Sequence, residues 1–226
     1  ILCEPIGRNT APCVGLAAVH ISRKYEDALM IVLPSDHLIK YNSMFVDVLK
    51  DACAVAEKGN NLTTIGITPN YPETGYGYIK FDPDQSEGRA YGVECFVEKP
   101  DLKTAKEYLA DESYLWNSGM FVWKISTILK NIKEFLPKTY EGLLKIKAAI
   151  GTEDQETVLE SEFEQFDSES IDYGIMEKAD DIYVLPGTFG WDDVGSLLAV
   201  GRIRSTNEFG NTVQGNVITV ETKNSI

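Results

Sequence analysis

Aspartates at two places in this chain are the residues best suited to bind a divalent cation. The run Leu29 to Leu33 is apolar and stops at Pro34, and Asp36 lies two residues beyond that proline. Far along the chain, Asp192 and Asp193 are adjacent in the glycine-bordered loop GTFGWDDVGS. Carboxylate oxygens are ligands that Mg²⁺ prefers, so these groups could hold a cation against a phosphorylated ligand.

Each aspartate also has a simpler structural interpretation. Asp36 could cap a following helix, and its position alone favours neither alternative. Asp192 and Asp193 could form a turn in which one of them caps a helix, because two adjacent carboxylates repel each other when no cation compensates them. The metal interpretation of this pair therefore depends on Asp36 lying nearby. His37 is not expected to act as a base, since a phosphate acceptor is already ionised near neutral pH.

Four shorter motifs carry groups that could recognise a nucleotide or a sugar. The loop EPIGRNTAP offers a glycine and an arginine before a helix N-terminus, although it matches no phosphate-loop signature. TGYGY could let a sugar approach the backbone, EKP supplies a carboxylate and an ammonium group, and WNSG supplies an amide. Each of the first three motifs also has a structural alternative. EPIGRNTAP could be a capped turn, TGYGY a tight turn and EKP a surface ion pair.

These motifs are predicted to follow strands of an α/β sheet. Residues 29–33 are apolar throughout, as in a strand that is buried on both faces. Helices are predicted over 11–25, capped by Thr10, and over 43–58, and a further strand over 62–67. This alternation predicts a doubly wound, mostly parallel sheet, in which ligands bind at the carboxyl edge of the strands.

The rest of the chain is predicted to interrupt this pattern and then complete it. Strands at 78–81 and 91–97 predict an antiparallel excursion. The acidic stretch 153–169 is interpreted as a solvated helical surface. The other predicted elements are helices at 101–109, 125–135, 138–150, 170–178 and about 194–202, and strands at 116–123 and 182–185.

Asn, Gly, Thr and Val become frequent after residue 205. We therefore expect two units, residues 1–205 and the start of a β-rich unit at 206–226, with a strand at 215–221. The chain begins without Met in a strand-like segment. It is interpreted as part of a longer protein.

Composition sets further expectations about partners and compartment. The 226 residues include 21 Lys plus Arg and 35 Asp plus Glu, a net charge of -14, so binding to nucleic acid or to an anionic membrane surface is not expected. No stretch of the sequence reaches the roughly 18 consecutive apolar residues that span a bilayer. The four scattered cysteines form no CxxC pair and are expected to be reduced and buried. We predict a cytoplasmic protein.

Seven motifs taken together resemble one protein family. EPIGRNTAP, VLPSDHLI, TGYGYI, FVEKP, WNSGMF, SIDYGIMEK and FGWDDVGS occur in the order and approximate spacing of the mannose-1-phosphate guanylyltransferases, a branch of the sugar-nucleotide pyrophosphorylases. Each motif is weak alone, but the series covers about residues 4–196. The resemblance implies a Rossmann-like nucleotidyltransferase domain that transfers GMP from GTP to α-D-mannose 1-phosphate, giving GDP-mannose and pyrophosphate.

The resemblance also implies roles for individual residues. Asp36 and Asp193 match metal-binding aspartates, which implies Mg²⁺ as the cofactor, and Lys99 is implied to lie near phosphate as a third catalytic group. The implied substrate-binding residues are Gly7, Arg8 and Asn9 for the guanosine, Gly77, Glu98 and Asn117 for the mannose hydroxyls, and Asp172 and Lys178 near the sugar. The last two lie in a short predicted helix that could simply support the sugar site.

Several alternatives stay open at the level of sequence. The family's glycine-rich triphosphate loop lies upstream of EPIGRNTAP and is not among these residues, so a catalytically inactive regulatory subunit that binds nucleotide sugars is one alternative. Another hexose 1-phosphate or another nucleotide is a second. GTP and mannose 1-phosphate are the expected partners. A homodimer is compatible with the sequence, which fixes neither the oligomeric state nor whether an isomerase domain follows.

Overall fold

A computed structural model describes residues 1–226, apart from the side chain of Leu198. The strands are β1 (Leu29–Val32), β2 (Leu38–Ile39), β3 (Leu62–Ile67), β4 (Tyr78–Glu87), β5 (Ala90–Val97), β6 (Tyr114–Lys124), β7 (Ile182–Gly187) and β8 (Trp191–Asp192). The helices are α1 (Thr10–Ile21), α2 (Asn42–Lys58), α3 (Leu102–Ala110), α4 (Ile125–Phe135), α5 (Pro137–Ala149), α6 (Gln155–Gln165) and α7 (Leu197–Ile203), and a single π-helical turn covers Asp172–Met176.

The main sheet has six strands in the order β1-β6-β3-β7-β5-β4. Four of them, β1, β3, β4 and β7, run in one direction, and β5 and β6 run in the other. The predicted α/β class is therefore confirmed, and most strands share one direction as predicted. Direct neighbours are nevertheless mostly antiparallel, because β5 and β6 are inserted between strands of the common direction. The strands β3 and β7 pair in parallel.

An additional pairing between β6 and β4 closes five strands, β6, β3, β7, β5 and β4, into a circuit. The buried side chains of Ile79, Phe81, Leu115 and Val184 pack against one another across this circuit. Gly66 of β3 faces the same cluster, where a Cβ atom would lie 2.7 Å from the Cβ of Leu115 and 2.8 Å from a methyl group of Val184. No side chain can be added there without displacing a neighbour, which explains the glycine.

Helices cover both faces of the sheet. Val48 and Ala52 are four residues apart on α2 and therefore lie on the same side of that helix, which they bury against β3, β6 and β7. On the opposite face, α1, α4, α5 and α6 form a second layer whose side chains pack with Trp123 of β6. The sheet is thus fixed from both sides, and the connecting loops carry the polar motifs.

Several predicted elements differ from the structure in ways that have local causes. Helix α1 ends at Ile21 rather than at residue 25, since the hydroxyl of Ser22 bonds to the Val19 carbonyl and competes with the helical pattern. Its N-cap is Asn9, not Thr10, because the side chain of Asn9 accepts the Thr10 N–H. The helix-cap alternative for Asp36 is wrong, because strand β2 follows it and α2 begins only at Asn42.

Two further expectations are corrected. The chain ends with the start of a β-rich unit, but the strand predicted at 215–221 is wrong, since these residues form bends and irregular backbone. All four cysteines are free, as expected of reduced thiols, but the expectation that they are buried is wrong, since Cys3, Cys13 and Cys95 are exposed and Cys53 is half-buried. None of the described helices combines the length and the apolar character that a bilayer crossing requires.

Replacing Gly66 with alanine is expected to destabilise the fold by about 1–3 kcal/mol, the usual cost of adding a methyl group to a filled core. Thermal unfolding followed by circular dichroism measures this change. Gly59→Ala is the matched control, because Gly59 has a φ of -137° and a Cβ there would lie no closer than 3.3 Å to a neighbour, the side-chain amide of Asn61. Equal melting temperatures for the two variants would contradict the packing assigned to Gly66.

Candidate active site

A short ribbon brings the two aspartates predicted to bind a metal into the same region. Strands β2 and β8 pair antiparallel, with Leu38 opposite Asp192. Extending that register by one residue places His37 opposite Asp193, with Asp36 directly before it. The side chain of Asp36 is 83% exposed, and its Oδ1 lies 4.0 Å from His37 Nε2. Asp36 and Asp193 are therefore both neighbours of His37.

The adjacent carboxylates of Asp192 and Asp193 have different surroundings. Asp192 accepts two hydrogen bonds from the guanidinium of Arg202, at 2.9 and 3.1 Å, and a third from the Val194 N–H at 2.9 Å. Burial raises the pKa of Asp192, but the bonds from Arg202 and Val194 and the positive charges of Arg202 and Lys40 outweigh it and the net pKa is lowered. Asp192 is therefore an ionised structural carboxylate whose oxygens are already occupied.

Asp193 is held more lightly, by one side chain and one backbone group. The Tyr76 hydroxyl donates to Asp193 Oδ1 at 2.6 Å, and the Gly195 N–H donates to the same oxygen at 3.2 Å. Burial first, and then the hydrogen bond to Asp193, raises the pKa of Tyr76, so its hydroxyl stays protonated. Of the two neighbours, Asp193 is the one that keeps an oxygen for a ligand.

His37 lies between the candidate metal aspartates and is fixed in one tautomer. The Trp191 Nε1–H donates to His37 Nδ1 at 3.0 Å. Burial lowers the pKa of His37 more than the negative charges of Asp36, Asp193 and Asp192 raise it. Because Nδ1 accepts a hydrogen bond, the proton of the neutral ring is on Nε2. His37 therefore presents a donor on the side of Asp36.

Six of the eleven predicted site residues line one open cavity of about 380 Å³. They come from the loops and strand ends at the edge of the sheet: Gly77, Glu98, Lys99, Asn117, Asp172 and Asp193. His37, Tyr76 and Trp191 border the same cavity. Its size is within the range of pockets that bind small molecules. The structure thus brings residues from distant motifs to a single cleft.

Polar groups in this cavity are ordered by bonds among themselves. The Asn117 amide donates to Asp172 at 2.7 Å, while its carbonyl oxygen accepts the Gly119 N–H at 3.0 Å. The Tyr173 hydroxyl donates to Glu98, and that hydrogen bond is the first cause raising the pKa of Tyr173 to about 12. A short π-helical turn therefore holds both the amide and a carboxylate of the predicted sugar site.

The loop that precedes α1 has a structural role in this fold. The Arg8 guanidinium donates to the carbonyls of Phe163 and Glu164 at 3.0 and 2.6 Å, near the C-terminal end of α6. Asn9 has a φ of 67°, a strained conformation for a non-glycine residue. Gly7, Arg8 and Asn9 do not line the cavity described above, so their contact with guanosine stays a prediction.

Lys178 is exposed and also does not line the cavity. Its charge lies close enough to Glu177 to oppose the rise in the pKa of that carboxyl, which burial and the charges of Glu98 and Asp172 cause. Lys178 therefore acts on the cavity through its neighbour in this structure, and direct sugar binding by Lys178 stays a prediction.

Four residues of the site were missed by sequence reasoning: Tyr76, Tyr173, Trp191 and Arg202. The first three lie inside the motifs TGYGYI, SIDYGIMEK and FGWDDVGS. Their aromatic side chains within motifs that carry candidate site residues are the feature of the sequence that could have identified them. Arg202 lies in α7 outside every motif, and no sequence signal connects it with Asp192. A second cavity of about 380 Å³ lies behind Tyr76 and Trp191 and is also lined by Tyr71, Trp116 and Arg202.

Comparisons with known proteins give a consistent result. The family model described as Nucleotidyl transferase matches residues 1–207. The xanthan biosynthesis protein XanB of Xanthomonas campestris pv. campestris (strain B100) is 42% identical over the whole chain, which covers 48% of that relative. A mannose-1-phosphate guanylyltransferase of Salmonella montevideo is 41% identical over 96% of the chain and 47% of the relative. The chain thus spans about half the length of these relatives.

A solved structure supports the same fold. The crystal structure described as mannose-1-phosphate geranyltransferase from Thermus thermophilus superimposes with a TM-score of 0.83 and 37% sequence identity. The match covers 95% of this chain and 60% of that one. The agreement extends over nearly all of the elements described above.

Replacing Arg8 with alanine is expected to lower the free energy of unfolding by about 1–3 kcal/mol, because two backbone carbonyls near the end of α6 lose a charged donor. Urea unfolding measures this loss. Arg23→Ala is the control, since Arg23 also donates to two carbonyls, of Lys147 and Ile150, at 3.2 and 3.0 Å but lies outside the predicted guanosine loop. A variant at Arg8 that keeps full stability would show that the guanidinium is free for a ligand.

Proposed function

Because this chain belongs to the nucleotidyl transferase family, we propose that it is the nucleotidyltransferase part of a mannose-1-phosphate guanylyltransferase. The reaction is the transfer of GMP from GTP to α-D-mannose 1-phosphate, giving GDP-mannose and pyrophosphate. A phosphate oxygen of the sugar phosphate attacks the α-phosphorus of GTP, and the bond from that phosphorus to the leaving pyrophosphate breaks. The names of the Salmonella relative and of other relatives at 39–40% identity support this substrate pair.

One observation carries the proposal. Asp193 lines the same cavity as Glu98, Asn117 and Asp172, and Asp36 lies outside that lining, next to His37, which borders the cavity. A sugar phosphate in this cavity would place its hydroxyls against amide and carboxylate groups and its phosphate towards the aspartates. Such positioning is most of what phosphoryl transfer needs from a protein.

The residues present fit Mg²⁺ as the cofactor. Among the described residues, no group of three or more His, Cys, Asp or Glu side chains could hold a metal ion by itself. Two carboxylates with room for phosphate oxygens are the typical protein contribution to a magnesium site. Asp36 and Asp193 would hold the ion, which supplies positive charge to the reacting phosphates. Asp192 does not take part, since Arg202 occupies it.

The remaining residues position the substrates. Lys99 is exposed at the cavity and brings a mobile positive charge to phosphate. Glu98 accepts hydrogen bonds from sugar hydroxyls once they replace the Tyr173 hydroxyl. Asn117 donates and accepts in an orientation fixed by Asp172 and Gly119. The amide and the carboxylate are thus each held by a hydrogen bond to the π-helical turn.

Turnover of GTP, dTTP and UTP with mannose 1-phosphate and glucose 1-phosphate tests the proposal on the full-length protein. The preferred pair is expected to be GTP with mannose 1-phosphate, and pyrophosphate release measures it. Equal or faster turnover of dTTP with glucose 1-phosphate would assign another sugar nucleotide. Nucleotide-sugar binding without turnover of any pair would instead indicate a regulatory subunit.

Asp36→Asn and Asp193→Asn are each expected to lower kcat at least about 100-fold, because the loss of a ligand charge weakens charge stabilisation of the transition state. Melting temperatures should change little, as Asp36 is exposed. Asp84→Asn, at an exposed position of β4 that does not line the cavity, is the matched control. Near-normal magnesium-dependent rates in either active-site variant would refute the assignment.

Glu98→Gln is expected to raise the KM for mannose 1-phosphate about tenfold or more, because an amide replaces a charged acceptor of sugar hydroxyls. The KM for GTP should stay within twofold. Steady-state kinetics with each substrate varied in turn separates the two effects. An increase confined to the GTP dependence would place Glu98 in the nucleotide pocket instead.

A further inference from the structure

The two oxygens of Asp193 are not equivalent. Oδ1 accepts the Tyr76 hydroxyl at 2.6 Å and the Gly195 N–H at 3.2 Å, and the Arg202 guanidinium approaches the same oxygen to 3.9 Å. Within the described part of the chain, Oδ2 accepts no hydrogen bond that meets normal geometry. A carboxylate oxygen has two lone-pair directions, so two donors saturate Oδ1 and leave Oδ2 open.

The Tyr76 hydroxyl is held in place by the packing of its ring. The ring makes edge contacts with Trp116 of β6 and with Trp191 of β8, at centroid distances of 5.4 and 5.3 Å. Trp191 is fixed in turn by its hydrogen bond to His37, and Trp116 is only 3% exposed. Aromatic contacts of this geometry restrict rotation of the ring. Tyr76 is therefore a rigid donor whose position is set by two strands of different sheets.

In the neighbouring residue Asp192, by contrast, both carboxylate oxygens accept hydrogen bonds. Both oxygens of Asp192 accept bonds from Arg202, and Oδ1 also accepts the Val194 N–H. Its side chain is 12% exposed, against 28% for Asp193. Adjacent residues thus differ: both oxygens of Asp192 accept hydrogen bonds, whereas only Oδ1 of Asp193 does. Because the Tyr76 hydroxyl bonds to Oδ1, Oδ2 is the oxygen of Asp193 that is available to a ligand.

We propose that Tyr76 is a positioning residue that holds Asp193 by Oδ1, so that Asp193 binds the divalent cation through Oδ2 alone. This inference rests on the proposed function, which assigns Asp193 to the cation. Without the hydroxyl, the carboxylate rotates about its side-chain bonds and either loses the ligand geometry or offers both oxygens. Outer hydrogen-bond partners of metal ligands typically contribute about 10–100-fold in metal affinity.

Titration of the full-length protein with Mn²⁺, followed by the electron paramagnetic resonance of the free ion, tests this role. Tyr76→Phe is expected to weaken Mn²⁺ binding about tenfold and to lower kcat, with the KM for mannose 1-phosphate within twofold. Tyr78→Phe is the matched control for binding and stability. It removes a tyrosine hydroxyl bond of similar length, 2.8 Å to the Glu73 carbonyl, which does not involve Asp193.

The outcomes separate this inference from the proposed function. Equal Mn²⁺ affinities for Tyr76→Phe and Tyr78→Phe, together with weaker binding by Asp193→Asn, would overturn the role of Tyr76 alone. Unchanged Mn²⁺ binding by Asp193→Asn would overturn the metal site itself. A crystal structure with Mn²⁺ provides the direct test, since one oxygen of Asp193 is expected on the ion and the other on Tyr76. Bidentate coordination by Asp193 would overturn the proposal.

Discussion

The candidate site depends on the pairing of two very short strands. Strands β2 and β8 contain two residues each, yet their antiparallel ladder joins positions that are 154 residues apart, as in the bond between Trp191 and His37. The ladder continues beyond the strands, because the N–H groups of Lys40 and Tyr41 donate to the carbonyls of Gly190 and Phe189. These backbone and side-chain hydrogen bonds hold the two segments together although the strands themselves are very short. Without this pairing, the segments that carry Asp36 and Asp193 would not lie next to each other.

Burial and hydrogen bonding together set the charges within the site. The protein has a net charge of -14, and three carboxylates surround His37, which would favour a charged imidazole if their field alone decided. Burial lowers the pKa of His37 more than these charges raise it, and the Trp191 donor at Nδ1 fixes the tautomer of the neutral ring. Arg202 neutralises Asp192 by a bidentate contact. Of the three carboxylates that act on His37, Asp36 and Asp193 are thus the two that Arg202 does not hold by a bidentate contact.

Much of the fold could be predicted from the sequence, since the apolar runs of β3 and β6 and the spacing on α2 and α4 leave one reasonable interpretation. The same holds for the cavity, where ordered motifs implied six lining residues. The rest depends on contacts between distant segments. Residue type and spacing alone do not distinguish Asp192 from Asp193, whereas the structure shows that Arg202 binds Asp192. The sequence likewise gives no sign that Arg8, predicted to contact guanosine, bonds to two carbonyls of α6. Strands of two residues have no periodicity at all.

The closed circuit of strands has a consequence for how the chain reaches this structure. Strand β3, complete at Ile67, pairs with β6 and β7, and β7 ends at Gly187, so 120 residues separate the last residues of this parallel pair. During synthesis, one edge of β3 stays without its partner until β7 has emerged. Pairings of such sequence separation form late and slowly. A strand whose edge stays unpaired in this way is a site at which chaperone binding or aggregation competes with folding.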